Sequence, residues 1–433
     1  MQQEIKFKET EIGKIPENWE VKTLESVANV EMGQSPKSKY YNEKRKGCPF
    51  LQGVTTFGSR YTRIERYTTK SPKVAQKGSI LLSVRAPVGE INIAPEELCI
   101  GRGLSALTMK NNNNKFLYYL LLYLKKTIIN HQTGTVYGSI NKTIIENFKV
   151  PVPPLPEQKA IAKILSDLDD KIELNNDMNK TLEAIGQALF KHWFIDFEFP
   201  NKEGKPYKSS GGEMVYNEEL DKKIPKGWEV ENYSEYADTI SGRSYKSEEL
   251  EDSDTALVSL KCVDITGGFN EEGLKSYTGN YKEEQIVKDG DVVVAHTDLT
   301  QDREILGRPA IVETSSDYKT YVASLDLVIS RPISDLISRG FIYFLLQSEW
   351  FRHHASGYAN GTTVLHLSKK TLPEFRMPIP SEVLLKRFSK IAENIISKIH
   401  ANNSEKKELE KIRDSLLPKL MSGKIRVDYA QGK

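Results

Sequence analysis

The chain of 433 residues contains an internal repeat, which limits its fold more than any single motif does. Residues 134–197 return without a gap as residues 361–424, and the segments that begin GTVYGSINKTIIENFKVPVP at Gly134 and GTTVLHLSKKTLPEFRMPIP at Gly361 align at a constant offset of 227. A second echo, at an offset of 209, aligns IPENWEV from Ile15 with IPKGWEV from Ile224. The repeat predicts two copies of one module, and two similar binding surfaces suit a long, repetitive target.

Short apolar runs between turn residues predict strands at 78–84 and 290–295, and one apolar helix follows in each module, at 115–125 and 340–348. The predicted class is therefore α+β with two mixed modules. The aromatic residues of the two helices fit either core packing or the stacking of nucleobases. Predicted boundaries are 1–154 for the first module, 155–200 for a long helix, 201–380 for a linker and the second module, and 381–433 for a second long helix and tail.

Each long helical pattern follows closely spaced prolines and places apolar residues in alternating steps of four and three, which is typical of a coiled coil. About 38 residues span roughly 57 Å at 1.5 Å per residue, so the second copy is the expected partner of the first. Two separate amphipathic helices, each packed on its own domain, remain the alternative. If a two-fold axis relates the modules, the helices pair antiparallel, with these opposed residues: Ile161 and Leu416, Leu165 and Ile412, Leu168 and Leu409, Asn175 and Asn402, Leu182 and Ile395, Leu189 and Phe388.

Charge is unevenly distributed along the chain. Residues 1–154 hold 23 Lys and Arg against 13 Glu and no Asp, whereas residues 201–380 hold 21 basic against 30 acidic residues. The basic first module favours a polyanionic partner, and the second module offers such a partner only a local face. Candidate contacts to such a partner, chosen for their basic, amide or hydroxyl chemistry alone, are Gln34, Lys37, Lys39, Arg60, Arg63, Arg85 and Arg102 in the first module, and Arg243, Tyr245, Lys246, Arg303 and Arg308 in the second.

Signatures of catalysis are missing from the sequence. It has no phosphate-binding loop of the Gly-x-x-x-x-Gly-Lys-Ser/Thr type, and Pro153-Pro154 precedes Leu155 where a methyltransferase tetrapeptide needs an aromatic residue. His353 and His354 are adjacent but have no further ligands at metal spacing, so no metal site is predicted. Three cysteines without a Cys-x-x-Cys pair, and no apolar run of membrane-spanning length, indicate a cytoplasmic protein.

Three features together resemble the specificity subunit of type I restriction-modification systems. They are the run from Thr133 to Ala162, the repeated Ile-Pro-x-x-Trp opening, and the segment WFIDFEFP from Trp193 to Pro200. The second module departs from the family's Pro-Leu-x-Glu-Gln at the helix start, because PSEVLL stands at 380–385.

The resemblance implies a non-catalytic subunit whose two recognition domains each read half of a bipartite double-stranded DNA site. The helices would fix the spacing and dock methylation and restriction subunits. No cofactor is then expected on this chain: S-adenosylmethionine belongs to the methylation partner, and ATP and Mg²⁺ belong to the restriction partner. A two-headed protein-binding scaffold is the alternative function, and an enzyme that itself methylates or cleaves DNA is the third.

Overall fold

The computed structural model describes residues 6–132, 138–265, 267–298, 304–361 and 364–427. The chain divides into two compact units, which we call unit 1 (Met1–Leu174 with Glu405–Lys433) and unit 2 (Asn175–Ser404). Each long helix contributes one half to each unit. Thr133 to Tyr137, in the repeated run, lie outside the described residues.

Unit 1 contains thirteen named strands and the first helices. The strands are β1 Phe7–Thr10, β2 Gly13–Pro16, β3 Glu20–Thr23, β4 Ala28–Met32, β5 Tyr41–Asn42, β6 Cys48–Leu51, β7 Tyr67–Thr68, β8 Val74–Ala75, β9 Ile80–Ser83, β10 Ile91–Ile93, β11 Leu98–Ile100, β12 Leu104–Met109 and β13 Lys149–Val152. The helices are α1 Leu24–Val27, α2 Asn114–Asn130, α3 Lys142–Glu146 and α4 Leu155–Phe190, of which α4 continues into unit 2.

Unit 2 repeats this succession. Its strands are β14 Met214–Asn217, β15 Lys222–Pro225, β16 Glu229–Asn232, β17 Ala237–Ser241, β18 Thr255–Val258, β19 Lys275–Ser276, β20 Val292–Ala295, β21 Thr297–Asp298, β22 Pro309–Ile311, β23 Thr320–Ala323, β24 Leu327–Pro332, β25 Ala359–Asn360, β26 Leu365–Leu367 and β27 Arg376–Ile379. Its helices are α5 Arg339–Gln347, α6 Glu349–Gly357 and α7 Glu382–Met421, of which α7 ends in unit 1.

The two units share one sheet topology. A four-stranded antiparallel sheet has the order β10-β9-β12-β4 in unit 1 and β22-β20-β24-β17 in unit 2. A second sheet contains one parallel pair, β6 with β11 and β18 with β23. A two-stranded sheet joins the start of each module to its end, through β3 with β13 and β16 with β27. The α+β class and the internal repeat are confirmed.

Helix α2 packs its aromatic face into the core of unit 1. The side chain of Asn113 caps the helix by accepting from the backbone N of Phe116, and Phe116, Tyr118 and Tyr119 are buried. Ser338 caps α5 in the same way, and its aromatic residues are buried too. Phe116, Tyr118 and Tyr119 of α2 and the aromatic residues of α5 therefore form core, which leaves no face of these rings for stacking on nucleobases. Tyr123 of α2 is half-buried.

The repeated Ile-Pro-x-x-Trp opening anchors each module. Trp19 is fully buried, and its indole Nε1 donates to Glu157 Oε2 at 3.0 Å. Glu157 is itself buried and accepts from Arg426 at 2.7 and 3.0 Å, so a buried carboxylate at the start of α4 is fully paired. In unit 2, Trp228 stacks on Phe199 at a centroid distance of 5.1 Å. The motif therefore has a structural role.

The two long helices pair antiparallel within each unit. In unit 1, Glu157 near the start of α4 pairs with Arg426 beyond the end of α7, whereas Lys171, further along α4, pairs with Glu405, which is earlier in α7, at 3.1 Å. The two helices therefore run in opposite directions. In unit 2, Asn179 Nδ2 donates to Asn403 Oδ1 at 2.7 Å, and the Phe190 and Phe388 rings lie 5.6 Å apart. The predicted antiparallel coiled coil is confirmed, and independent helices without a shared seam are excluded.

Seam residues of the coiled coil differ in burial. Ile161, Leu165, Asn175, Phe388, Ile395 and Asn402 are buried, and Leu168, Leu182, Leu189, Leu409 and Leu416 are half-buried. Asn175 Nδ2 lies 3.4 Å from the backbone O of Asn402, and a parallel pairing would oppose the same two residues, so this contact does not by itself decide the direction. Ile412 departs from the expectation because its side chain is 45% exposed. The next residue, Arg413, instead turns inward to the carboxylate of Asp169 at 2.9 Å.

Helix α7 begins at Glu382, directly after the segment that departs from the family pattern. The backbone N of Leu384 and that of Leu385 both donate to the carbonyl of Ser381. Leu384, Leu385 and Phe388 are buried in the core of unit 2. The different sequence therefore preserves a normal helix start.

Candidate nucleic-acid interface

Three loops of unit 1 meet at one end of its four-stranded sheet. Gln34 follows β4, Arg85 follows β9 and Arg102 precedes β12. Met32 pairs with Ser105, and Ser83 pairs with Leu104, so the three loops leave adjacent strands at the same end. We call this end, with Gln34, Gln52, Arg85 and Arg102, the loop edge of unit 1.

The second sheet contributes Gln52 to the loop edge. Leu51 of β6 pairs in parallel with Ile100 of β11, which places the residues after both strands side by side. Ser35 Oγ donates to Gln52 Oε1 at 3.2 Å and accepts from the backbone N of Arg102 at 3.1 Å. The loops are thus tied together by side-chain hydrogen bonds, which fixes the exposed groups relative to one another.

A cleft of about 250 Å³ opens at the loop edge, lined by Gln52, Gly53, Val54, Arg85, Ala86, Arg102 and Gly103. Backbones pack closely in its wall: a Cβ on Gly103 would lie 2.6 Å from the carbonyl O of Gln52. Arg85 and Arg102 are exposed, and neither forms an ion pair with any described residue. Their guanidinium donors are therefore available to an acceptor from outside.

Two lysines lie in the segment that borders this edge, and Arg63 is a further exposed cation of the same unit. Lys37 and Lys39 are exposed beside Tyr40 and Tyr41, and Lys39 Nζ lies 5.3 Å from the Tyr40 ring centroid. The Tyr41 hydroxyl lies 3.5 Å from Gln52 Oε1, so this group borders the loop edge. Arg63 is exposed but pairs weakly with Glu65 at 3.9 Å. These positive charges suit contacts to a phosphate backbone, which require no fixed geometry.

Arg60 is the exception among the predicted contacts of the first domain. It is only 6% exposed and forms a salt bridge with Asp170 of α4, with Glu173 4.0 Å away. Hydrogen bonding to Asp170 keeps its pKa above the usual value despite its burial. Arg60 therefore holds the helix against the domain, and we leave it out of the proposed DNA contacts.

The predicted contacts of the second domain are dispersed. Arg243 is exposed at the end of β17, without an ion pair to any described residue. Beyond it, Tyr245 stacks with the ammonium of Lys275 at 5.4 Å, and Lys246 pairs with Glu248 at 3.3 Å. Arg308 is half-buried, donates to Gln347 Oε1 at 3.3 Å, and has its pKa lowered by burial. Arg303 lies outside the described residues.

The adjacent histidines His353 and His354 lie in helix α6 of unit 2. His354, for which no metal role is predicted, donates from Nε2 to the carbonyl of Thr371 at 2.8 Å and packs against Phe375. No three His, Cys, Asp or Glu side chains among the described residues gather in a way that could hold a metal ion. Within the same residues, no helix combines the length and apolarity needed to cross a membrane.

Comparison with known proteins identifies the family. A family model described as type I restriction modification DNA specificity domain matches residues 16–184. The type I restriction enzyme MjaIX specificity subunit of Methanocaldococcus jannaschii is 31% identical over 98% of this chain and 98% of its own length. The chain belongs to the type I restriction enzyme specificity subunits.

Two further relatives agree with this family. The MjaVIII specificity subunit of the same organism is 29% identical to this specificity subunit, over 98% of this chain and 97% of its own. A crystal structure of the type I restriction-modification S subunit from M. genitalium superposes with a TM-score of 0.56 at 20% identity, covering 93% of this chain and 96% of that one. That structural likeness concerns the fold.

Proposed function

We propose that this specificity subunit reads a bipartite double-stranded DNA site, one half with each unit. The observation that carries the proposal is the loop edge, where exposed arginine and amide side chains meet on a rigid frame. In the major groove, arginine donates to the two acceptors of guanine, and glutamine donates to N7 of adenine and accepts from its N6 amino group. The basic first module supplies the lysines that position a recognition domain on phosphates.

The long helices, which belong to both units, would set the number of unread bases between the half-sites. They would also dock the methylation and restriction subunits. We infer that this subunit carries no catalytic centre, that S-adenosylmethionine is bound by the methylation partner, and that ATP and Mg²⁺ are bound by the restriction partner. The cell compartment we propose is the cytoplasm.

The test is selection of bound sequences from random double-stranded DNA by the full chain in complex with its methylation subunit. A bipartite consensus with a fixed gap is expected. A complex that binds without sequence preference, or not at all, would leave the two-headed protein-binding scaffold as the better description. Rigorously purified chain alone, incubated with DNA and S-adenosylmethionine, is expected to transfer no methyl groups.

Variants at the loop edge give the sharper form of this test. Arg85→Ala with Arg102→Ala should reduce binding to the selected site by at least tenfold and leave binding to unrelated DNA largely unchanged. Lys37→Ala with Lys39→Ala should weaken binding to all sequences and reduce the slope of log K against log salt by about one for each lysine that contacts a phosphate. Lys14→Ala, which removes an exposed ion pair with Glu9, is the matched control.

A further inference from the structure

The loop edge of unit 1 has a residue-by-residue counterpart in unit 2. Four backbone hydrogen bonds of 2.7–3.0 Å recur at corresponding places. In unit 1 the bonds are Gln34 N to Ile100 O, Gly33 N to Leu104 O, Gly101 N to Leu51 O and Val84 N to Gly103 O. In unit 2 the corresponding bonds, in the same order, are Arg243 N to Ala323 O, Gly242 N to Leu327 O, Ser324 N to Val258 O and His296 N to Asp326 O. Gln34 therefore corresponds to Arg243.

The same bonds align Arg102 with Leu325. Each lies in a three-residue loop between the parallel strand and the next antiparallel strand, β11 to β12 and β23 to β24. Both are exposed, and the side chain of Leu325 is 51% exposed. The backbone N of Leu325 donates to the carbonyl of Arg243 at 2.8 Å, so the loop that presents the leucine is held in place.

The second arginine of the loop edge is replaced as well. The backbone of Arg85 forms an isolated antiparallel β-bridge with Ser139. At the corresponding place in unit 2, Thr297 of β21 pairs with His366 of β26. Thr297 is buried, with its Oγ1 3.2 Å from His366 Nδ1. Unit 2 thus presents Arg243 and Leu325 where unit 1 presents Gln34 and Arg102. The two units therefore carry different side chains on the same backbone arrangement.

The edges of the base pairs distinguish these side chains. Guanine presents two acceptors, N7 and O6, to an arginine, whereas thymine presents a C5 methyl group, which is the apolar feature of the major groove. Single exposed leucines are common on protein surfaces. The location of Leu325, at the position that holds a free arginine in the other unit and beside Arg243, is what gives this leucine a specific meaning.

We propose that this loop position determines specificity in both units: Arg102 reads a guanine in one half-site, and Leu325 packs on the methyl group of a thymine in the other. The inference rests on the proposed function, because it assumes that the loop edges face DNA. It adds which base each loop tip selects.

Base analogues test the inference without altering the protein. In the selected site, deoxyuridine in place of the critical thymine removes only the methyl group and should weaken binding of the full chain with its methylation subunit about fourfold. In the other half-site, 7-deazaguanine removes one of the two acceptors and should weaken binding at least about fivefold.

Matching variants assign each effect to a residue. Leu325→Ala should bind thymine and deoxyuridine sites equally, and Arg102→Ala should no longer distinguish guanine from 7-deazaguanine. Leu174→Ala, on a leucine that is 52% exposed in helix α4, is the matched control and should keep both sensitivities. Selection with Leu325→Arg should change the preferred base at one position of one half-site and leave the other half-site unchanged.

Two results would overturn the inference while the proposed function stands. One is a bipartite consensus in which no thymine of either half-site is sensitive to deoxyuridine. The other is an unaltered consensus with Leu325→Arg at unaltered affinity. If the parent complex shows no sequence preference at all, the proposed function itself fails, and this inference fails with it.

Discussion

The burial of Glu183 on helix α4 predicts that unit 2 loses stability as pH rises, whereas most carboxylates make a folded protein less stable as pH falls. Its Oε1 accepts from the hydroxyl of Tyr343 at 2.8 Å, and its Oε2 is buried without a hydrogen-bond partner among the described residues. Burial raises the pKa of Glu183 to about 7 from the usual 4.5. The carboxyl is therefore protonated in the folded chain at a pH where the unfolded chain ionises it.

The sign follows from proton binding. Between pH 4.5 and 7 the folded state holds one more proton than the unfolded state, so the free energy of unfolding falls as pH rises. A difference of about 2.5 pKa units corresponds to roughly 3 kcal/mol, lost by pH 8 and fully recovered below pH 4.5. Glu183→Gln keeps an acceptor for Tyr343 but cannot ionise, so it should remove this dependence.

Urea unfolding of the full chain, followed by tryptophan fluorescence and by hydrogen exchange of helix α5, provides the measurement. Glu183→Gln should stabilise unit 2 by about 3 kcal/mol at pH 8 and leave it unchanged at pH 4.5. Asp177→Asn, on an exposed carboxylate of the same helix paired with Lys180, is the control and should show no such difference. Equal stability of Glu183→Gln and the parent chain at both pH values would refute the reasoning.

The remaining predictions concern the contacts of the long helices. Arg413→Ala should lower the free energy of unfolding of unit 1 by about 3 kcal/mol, because it leaves the buried carboxylate of Asp169 without its cation. Asp414→Ala, which removes the exposed partner of the same arginine, should cost less than about 1 kcal/mol in the same urea titration, and equal costs would contradict this account. Gly186→Ala should destabilise unit 2 by about 1–3 kcal/mol, since the new Cβ would lie 2.1 Å from Cζ of Phe344. In thermal unfolding, adding Phe344→Leu to Gly186→Ala should largely restore the lost stability. If Phe344→Leu instead lowers the stability of the Gly186→Ala variant by a similar amount again, a clash with Phe344 is excluded.

Much of the architecture could be predicted from the sequence because apolar spacing and the repeat both record burial. Leu165 and Phe388, for example, were placed in the seam by their four-three spacing, and both are fully buried. Antiparallel pairing followed from the symmetry of the repeat. The two-fold register placed Ile412 opposite Leu165, but the Ile412 side chain is 45% exposed, and the next residue, Arg413, turns inward to its salt bridge with Asp169.

The loop edge could be predicted only in part. The chemistry of Gln34, Arg85 and Arg102 predicts them as contacts, but no local pattern identifies Gln52, which reaches the cleft through the parallel pairing of two strands distant in sequence. The equivalence of the two edges was hidden for a similar reason. Residue numbers differ by 209 between Gln34 and Arg243 but by 223 between Arg102 and Leu325, since the intervening loops differ in length.

Arg60 shows why charge alone does not identify a contact. A sequence records that a residue is an arginine, whereas its partner on a helix 110 positions later depends on how the domain packs. The same residue type is therefore an exposed hydrogen-bond donor at Arg102 and a buried salt-bridge partner of Asp170 at Arg60.

The polar contact of Arg413 with Asp169 has an apolar counterpart in unit 2, and this limits how far one module can replace the other. At the repeat offset of 227, Arg413 corresponds to Gly186, and Asp169 corresponds to Ile396. In unit 1 the hydroxyl of Tyr119 donates to Asp169 at 2.6 Å. In unit 2 the corresponding ring, that of Phe344, packs over Gly186 instead. A module moved alone to the other position would bring a hydroxyl without its carboxylate, or a phenyl ring onto an arginine. Any such replacement must therefore carry the matching helix halves with the module they support.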